Sequence, residues 1–118
     1  MGTKENIIHV KSFDFALQII ELYKQMLNQK EYVLSKQLLR SGTSIGANVE
    51  EASAAISKKD FISKMSISAK EARETLYWLK LIEKSQIVKI DVSGLLEKSE
   101  ELIRILTSIV KTSQGSLK

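Results

Sequence analysis

Glu50, Glu51, Glu71 and Glu74 are the side chains of this sequence with the most obvious capacity for chemistry. Acidic pairs on neighbouring helices are how a helical bundle builds a di-iron or di-manganese centre, but that centre also needs Glu-x-x-His on two helices. The chain has one histidine, His9, near its N-terminus and far in sequence from both glutamate pairs. No metal is therefore expected. Nucleophilic catalysis meets the same shortage: the serines have no helical histidine to serve as base. Without cysteine there is no thiolate either. Gly42 and Gly46 bring a phosphate-cradling loop to mind, yet a P-loop ends in Gly-Lys-Ser/Thr after a strand, and both are missing. The expectation is a protein that is not an enzyme and carries no cofactor.

Other polar residues are spaced for contact rather than catalysis. Arg40, Ser44, Asn48 and Glu51 recur at three- and four-residue steps beside an apolar stripe, with Glu71, Arg73, Glu74 and Tyr77 available on the next helix. Two outcomes are open. They could form a solvated face with intrahelical pairs such as Lys70 with Glu74, each worth a few tenths of a kcal/mol. Alternatively, Arg40, Ser44, Asn48, Glu51, Glu71 and Tyr77 could form a partly buried network that sets helix register or a subunit contact.

The elements that position these residues follow from composition and periodicity. The 118 residues include no proline and five glycines, so long helices joined by short turns are expected in a single domain. Absence of cysteine fits a reducing cytosol. No apolar run approaches the roughly 18 residues of a membrane span, so a cytoplasmic protein without membrane contact is expected. Helical spacing predicts four helices, at about Ser12–Asn28, Glu31–Ile56, Lys58–Lys84 and Asp91–Thr112. Ser12 is the predicted first cap, after a polar arm that carries Ile7, Ile8 and Val10. Ser57 and Asp60 read as a capping box for the third helix and Asp91 as the cap of the fourth. Residues from Ser113 onward read as a fraying tail, and Ile87 and Val88 as tucked inward. Short connections make successive helices antiparallel, giving an all-α, up-down-up-down four-helix bundle.

Two helices look unusual. The second keeps Leu34, Leu38, Ile45, Val49, Ala52 and Ile56 in register, with Ser41 filling one step, although Gly42 and Gly46 each cost up to about 1 kcal/mol of helix propensity. Such a helix is held by its neighbours, and the two glycines read as sites of close packing. The first helix carries Phe15, Ile19, Leu22 and Met26 on one side and Phe13, Leu17, Ile20 and Leu27 nearly opposite. A monomer needs an apolar stripe of only about 100°, so this excess, together with Ile67, Trp78 and Leu81 on the flanks of the third helix, predicts burial against another subunit.

The formal charge is +4. In this topology the start of the first helix, the second turn and the end of the last helix share one end. Lys4, Lys11, Lys58, Lys59, Lys64, Lys111 and Lys118 gather there, against Glu5, Asp14 and Asp60. Lys11, Lys58, Lys59, Lys64 and Lys111 are the candidate nucleic-acid contacts. The alternative is an ordinary solvated bundle end.

The runs RSGTSIGANVEEA (residues 40–52), SKKDFI (57–62) and SAKEARETLYWLK (68–80) resemble the 23S rRNA-intervening-sequence protein family, from about Phe13 to Val110. Many members have Pro at the position of Gly46, and Ala-Glu-Gly where this chain has Glu50, Glu51 and Ala52. The resemblance implies a small bacterial four-helix bundle that tends to form a ring-like homopentamer. A similar bundle is the accessory protein of the reverse transcriptase of diversity-generating retroelements, where it binds nucleic acid and the enzyme. Partners implied are thus further copies of the chain, RNA or DNA, and a protein such as a reverse transcriptase. The family implies no settled activity, and a scaffold with no nucleic-acid binding is the alternative expectation.

Overall fold

Four helices form among residues 3–116, the part described by the computed structural model: α1 (Lys4–Asn28), α2 (Leu34–Ser53), α3 (Lys58–Ser85) and α4 (Ser93–Gly115). Each packs on its sequence neighbours and α4 returns against α1, which closes the antiparallel up-down-up-down bundle. α1 and α3 lie diagonally across the core, as do α2 and α4. The α1–α4 seam is the most sparsely packed of the four. Clefts run along it, lined by Asp14, Leu17, Gln18 and Lys98 among others.

Large apolar side chains fill the middle: Phe15, Ile19 and Met26, then Leu38 and Ile45, Met65 and Leu79, Leu102 and Leu106. Between them sit small hydroxyls at core positions, with Ser12, Ser41, Ser68, Thr75 and Ser99 all buried. A buried hydroxyl needs a partner. Ser99 finds the Leu96 carbonyl at 2.8 Å and Thr75 the Glu71 carbonyl at 2.8 Å, so each behaves as a small side chain in packing terms.

α1 begins eight residues earlier than the patterning predicts. Thr3 is its cap, accepting from the Asn6 amide at 3.1 Å. The supposed arm is helix, with Ile8 fully buried, and His9 lies on it. Ser12 is not a cap but an interior core residue.

The first turn explains why α2 starts at Leu34 and not at Glu31. Lys30 takes a left-handed conformation (φ 63°), and its amide bonds to Leu27 while that of Glu31 bonds to Met26, both at 2.9 Å. This Schellman closure ends α1. Glu31, buried and outside both helices, then turns its carboxylate onto the next one. The amides of Val33, Leu34 and Ser35 donate to it at 3.2, 3.1 and 2.7 Å. One carboxylate thus satisfies three amides at the start of α2 and meets the positive end of its dipole.

α2 stops at Ser53, so Ile56 leaves the predicted stripe and is 95% exposed in the second turn. Ser57 caps α3 as predicted, accepting from the Asp60 amide at 3.0 Å. Asp60 departs from the capping-box pattern by accepting from the Ile56 amide, at 3.4 Å, one residue before the cap. The cap position of α4 is Val92; Asp91 sits one residue outside and accepts from the Ser93 amide and hydroxyl at 3.0 and 2.7 Å. α4 continues to Gly115 with Ser113 buried, so the predicted frayed tail is helical to that point. In the third turn Val88 is buried as expected and Ile87 is exposed. Gln29 ties this turn to the first, accepting from the Lys89 amide at 2.7 Å and donating to its carbonyl at 3.2 Å.

Candidate functional site

The glycines of α2 face α1. A Cβ at Gly42 would lie 2.8 Å from both γ carbons of Ile19, and one at Gly46 would lie 3.4 Å from the Ser12 carbonyl oxygen. Close packing is therefore the role of both, with Gly42 the tighter site. The hydroxyls beside them turn back onto their own helix: Thr43 donates to the Leu39 carbonyl at 2.7 Å and Ser44 to that of Arg40 at 2.6 Å.

On the other side of α2 the polar candidates separate into four groups. Arg40 reaches across to α3, where Nη1 donates to Glu71 at 3.2 and 3.4 Å and Nη2 donates to Glu74. Trp78 Nε1 donates to the same Glu74 oxygen at 3.0 Å. The hydrogen bond from Arg40 holds the Glu74 carboxyl below its ordinary range, against a smaller opposing effect of burial; the Trp78 bond and the charges of Arg40 and Lys70 add to the lowering. The guanidinium is raised in turn, chiefly by its bond to Glu74. Glu51 belongs to a separate pair, with Lys64 at 3.1 Å. Ser44 and Asn48 turn back along α2, Asn48 donating to the Ser44 carbonyl at 2.8 Å. Tyr77 is exposed and meets Trp78 edge to face, ring centres 5.3 Å apart. The network is thus Arg40, Glu71, Glu74 and Trp78. The three-then-four spacing of Glu71, Glu74 and Trp78 on one helix was the signal for the last two.

The four glutamates of the sequence pattern point at different partners. Glu50 lies 3.6 Å from His9, Glu51 pairs with Lys64, and Glu71 and Glu74 hold Arg40. Among the described residues no group of three or more His, Cys, Asp or Glu could hold a metal.

The candidate lysines are not equivalent. Lys11 pairs with Glu101 across the α1–α4 seam at 3.2 Å, Lys64 is held by Glu51, and Lys4 donates to Ser108. Lys58, Lys59 and Lys111 are exposed and make no ion pair among the described residues. Lys118 lies outside the described residues. Lys58 borders a cleft between the first turn of α1 and the start of α3, which Glu5, His9 and Phe61 also line.

Part of the second apolar face of α1 is left exposed among the described residues, while Ile20 and Leu27 are half-buried. Val10, Phe13 and Leu17 are 63, 65 and 50% exposed, beside a groove lined by Ala16, Ile20, Gly46 and Ala47. No helix among the described residues is long and apolar enough to cross a membrane.

Fold and surfaces together define a small all-α bundle with an interhelical ion cluster and an exposed apolar helix face. The chain belongs to the 23S rRNA-intervening sequence protein family, whose model matches residues 4–108. It is also similar to the crystal structure of a protein of unknown function from the S23 ribosomal protein family of Bacteroides thetaiotaomicron. The two share 48% identity and a TM-score of 0.88, over 92% of this chain and 99% of that one. The chain matches no curated protein.

Proposed function

We propose that this protein is a non-enzymatic, cytoplasmic assembly module whose oligomer binds nucleic-acid backbone. The observation that carries the proposal is the uncovered face of α1. Three large apolar side chains, each at least half exposed on successive turns, form the kind of contiguous patch that marks an association surface. A second copy of the chain is the occupant, and five copies is the number the family resemblance favours. Association multiplies charge: five chains at +4 carry +20. Lys58 and Lys59 would project from each subunit beside the amides that open α3, an arrangement suited to phosphate.

Fluorescence anisotropy with labelled RNA and single-stranded DNA tests the nucleic-acid part. Binding should weaken steeply with salt, and Lys58→Glu with Lys59→Glu should reduce it while leaving the oligomer intact. Undiminished binding by that variant removes the bundle end as the site. No binding by wild type at low salt leaves the second reading, a scaffold that binds only itself or a protein partner. Neutralisation of Lys11 and Lys64 by Glu101 and Glu51 favours this alternative.

A further inference from the structure

α3 has an outer face unlike that of any other helix in the bundle. Lys59, Lys70, Arg73, Tyr77, Lys80 and Lys84 are all exposed on it, and no fully exposed position of α3 is acidic. At about 100° per residue, the five from Lys70 to Lys84 fall within about 80° of one another, and Lys59 shares their azimuth three turns earlier. With a rise of 1.5 Å per residue the row is about 37 Å long. None of its cations makes an ion pair among the described residues. Of the nearby carboxylates, Glu71 and Glu74 are rotated toward α2 and hold Arg40, Asp60 accepts from the Ile56 amide, and Glu83 is half-buried beside Lys80 and Lys84 without an ion pair to either. Glu74 also lies in the field of Lys70. The outer faces of the other helices mix signs, as with Glu97, Lys98, Glu100 and Arg104 on α4.

Like charges three and four apart destabilise the helix that carries them, so a one-sign row is a feature that folding does not require. Tyr77 adds a second element in the middle of the row. The residue is 56% exposed, and its ring packs edge to face against Trp78, which is itself held by its bond to Glu74. A supported aromatic ring flanked by Arg73 and Lys80 is the combination that binds a single strand, cations tracking phosphates while a base stacks on the ring.

We infer that the outer face of α3 is a track for single-stranded nucleic acid, running from Lys59 at the bundle end to Lys84. This rests on the nucleic-acid reading above and extends it from the bundle end to a helix face. The track lies on the helix diagonally opposite α1 within the bundle.

The test is anisotropy of the full chain with a labelled single-stranded RNA and the duplex of the same sequence, at 50 and 200 mM salt. Circular dichroism checks that each variant is folded. If Lys70, Arg73, Lys80 and Lys84 each neutralise a phosphate, single-strand binding weakens about 50-fold over that salt range. Arg73→Gln with Lys80→Gln should cut the salt effect to about sevenfold. Tyr77→Ala should weaken single-strand binding about tenfold and leave the duplex little changed. The track is overturned if the Arg73, Lys80 variant keeps wild-type affinity and salt dependence. If the Lys58, Lys59 variant loses binding in that same experiment, the bundle-end site still stands. Equal losses for strand and duplex in Tyr77→Ala would remove the single-strand assignment. Wild type that binds neither at 50 mM overturns the track and the nucleic-acid reading together.

Discussion

Ser68 on α3 donates its hydroxyl to the main-chain carbonyl of Ile45, 2.8 Å away in the middle of α2. A side chain this short reaches the neighbouring backbone only where the two helices nearly touch. Two turns further along α3, the hydroxyls of Thr75 and Ser41 hydrogen-bond 2.9 Å apart and repeat the arrangement. Ser68→Ala should cost about 0.5–1.5 kcal/mol, the net worth of one hydrogen bond. Ser68→Leu should cost more, on the order of 1–3 kcal/mol or above, by forcing the helices apart. Urea melts distinguish the two, and a leucine variant as stable as wild type would refute the close approach.

The glycines of α2 should respond unequally to the same added methyl. Gly42→Ala puts a carbon 2.8 Å from both branches of Ile19, a β-branched side chain with little freedom to move. A net loss of about 1–3 kcal/mol is expected despite the gain in helix propensity. At Gly46 the nearest atom is 3.4 Å away, so Gly46→Ala should be neutral or stabilising by up to about 1 kcal/mol. Gly46→Leu has no such room beneath the Ser12 backbone and should destabilise by about 1–3 kcal/mol. Thermal melts that rank Gly46→Ala below Gly42→Ala would contradict this geometry.

Arg40 makes stability depend on acid through Glu74. The folded carboxyl sits below its ordinary value of 4.5, so the unfolded chain binds a proton first as pH falls. The stabilisation is fully present above 4.5 and disappears as pH drops through the lowered folded value. The raised Arg40 guanidinium stays charged on both sides of this range and would matter only in strong alkali. Glu74→Gln should therefore show a smaller loss of denaturation midpoint between pH 7 and pH 3 than wild type. Equal losses would mean that the pair contributes nothing.

Phe13 and Leu17 are where assembly should fail first. Light scattering on a sizing column should give wild type a mass several times 13.3 kDa. Phe13→Glu with Leu17→Glu should shift it to the single-chain mass with its helix content retained, because neither side chain enters the core. A wild-type monomer at micromolar concentration would remove the assembly proposal.

Periodicity carried the architecture because large apolar residues report burial directly. It failed where the core is lined by small polar groups. Ser12 reads as a cap because serine favours caps, yet it occupies the core step between Ile8 and Phe15. The inference that let Ser41 fill a step of α2 applies equally to Ser12, and would have extended α1 back through Ile8. Glu31 was invisible for a different reason. Its role depends on Lys30 turning left-handed, and lysine gives no hint of that where glycine would. The partners of Arg40 depend on the register between two helices, which spacing within one helix narrows but does not determine.

The sparsely packed α1–α4 seam also sets the order in which the bundle comes apart. The other three seams join helices adjacent along the chain and close short loops, which is a low-contact-order arrangement suited to rapid folding. The seam joins the two helices most distant in sequence, through isolated contacts such as Lys11 with Glu101. We expect its closure to come last in folding and its opening to cost least among the four seams. α1 and α4 can thus swing apart while the α2–α3 hairpin stays joined by Ser68, Thr75 and Arg40. Amide protons on the facing sides of α1 and α4 exchange ahead of those in the middle of α2, whose release requires the whole bundle to unfold.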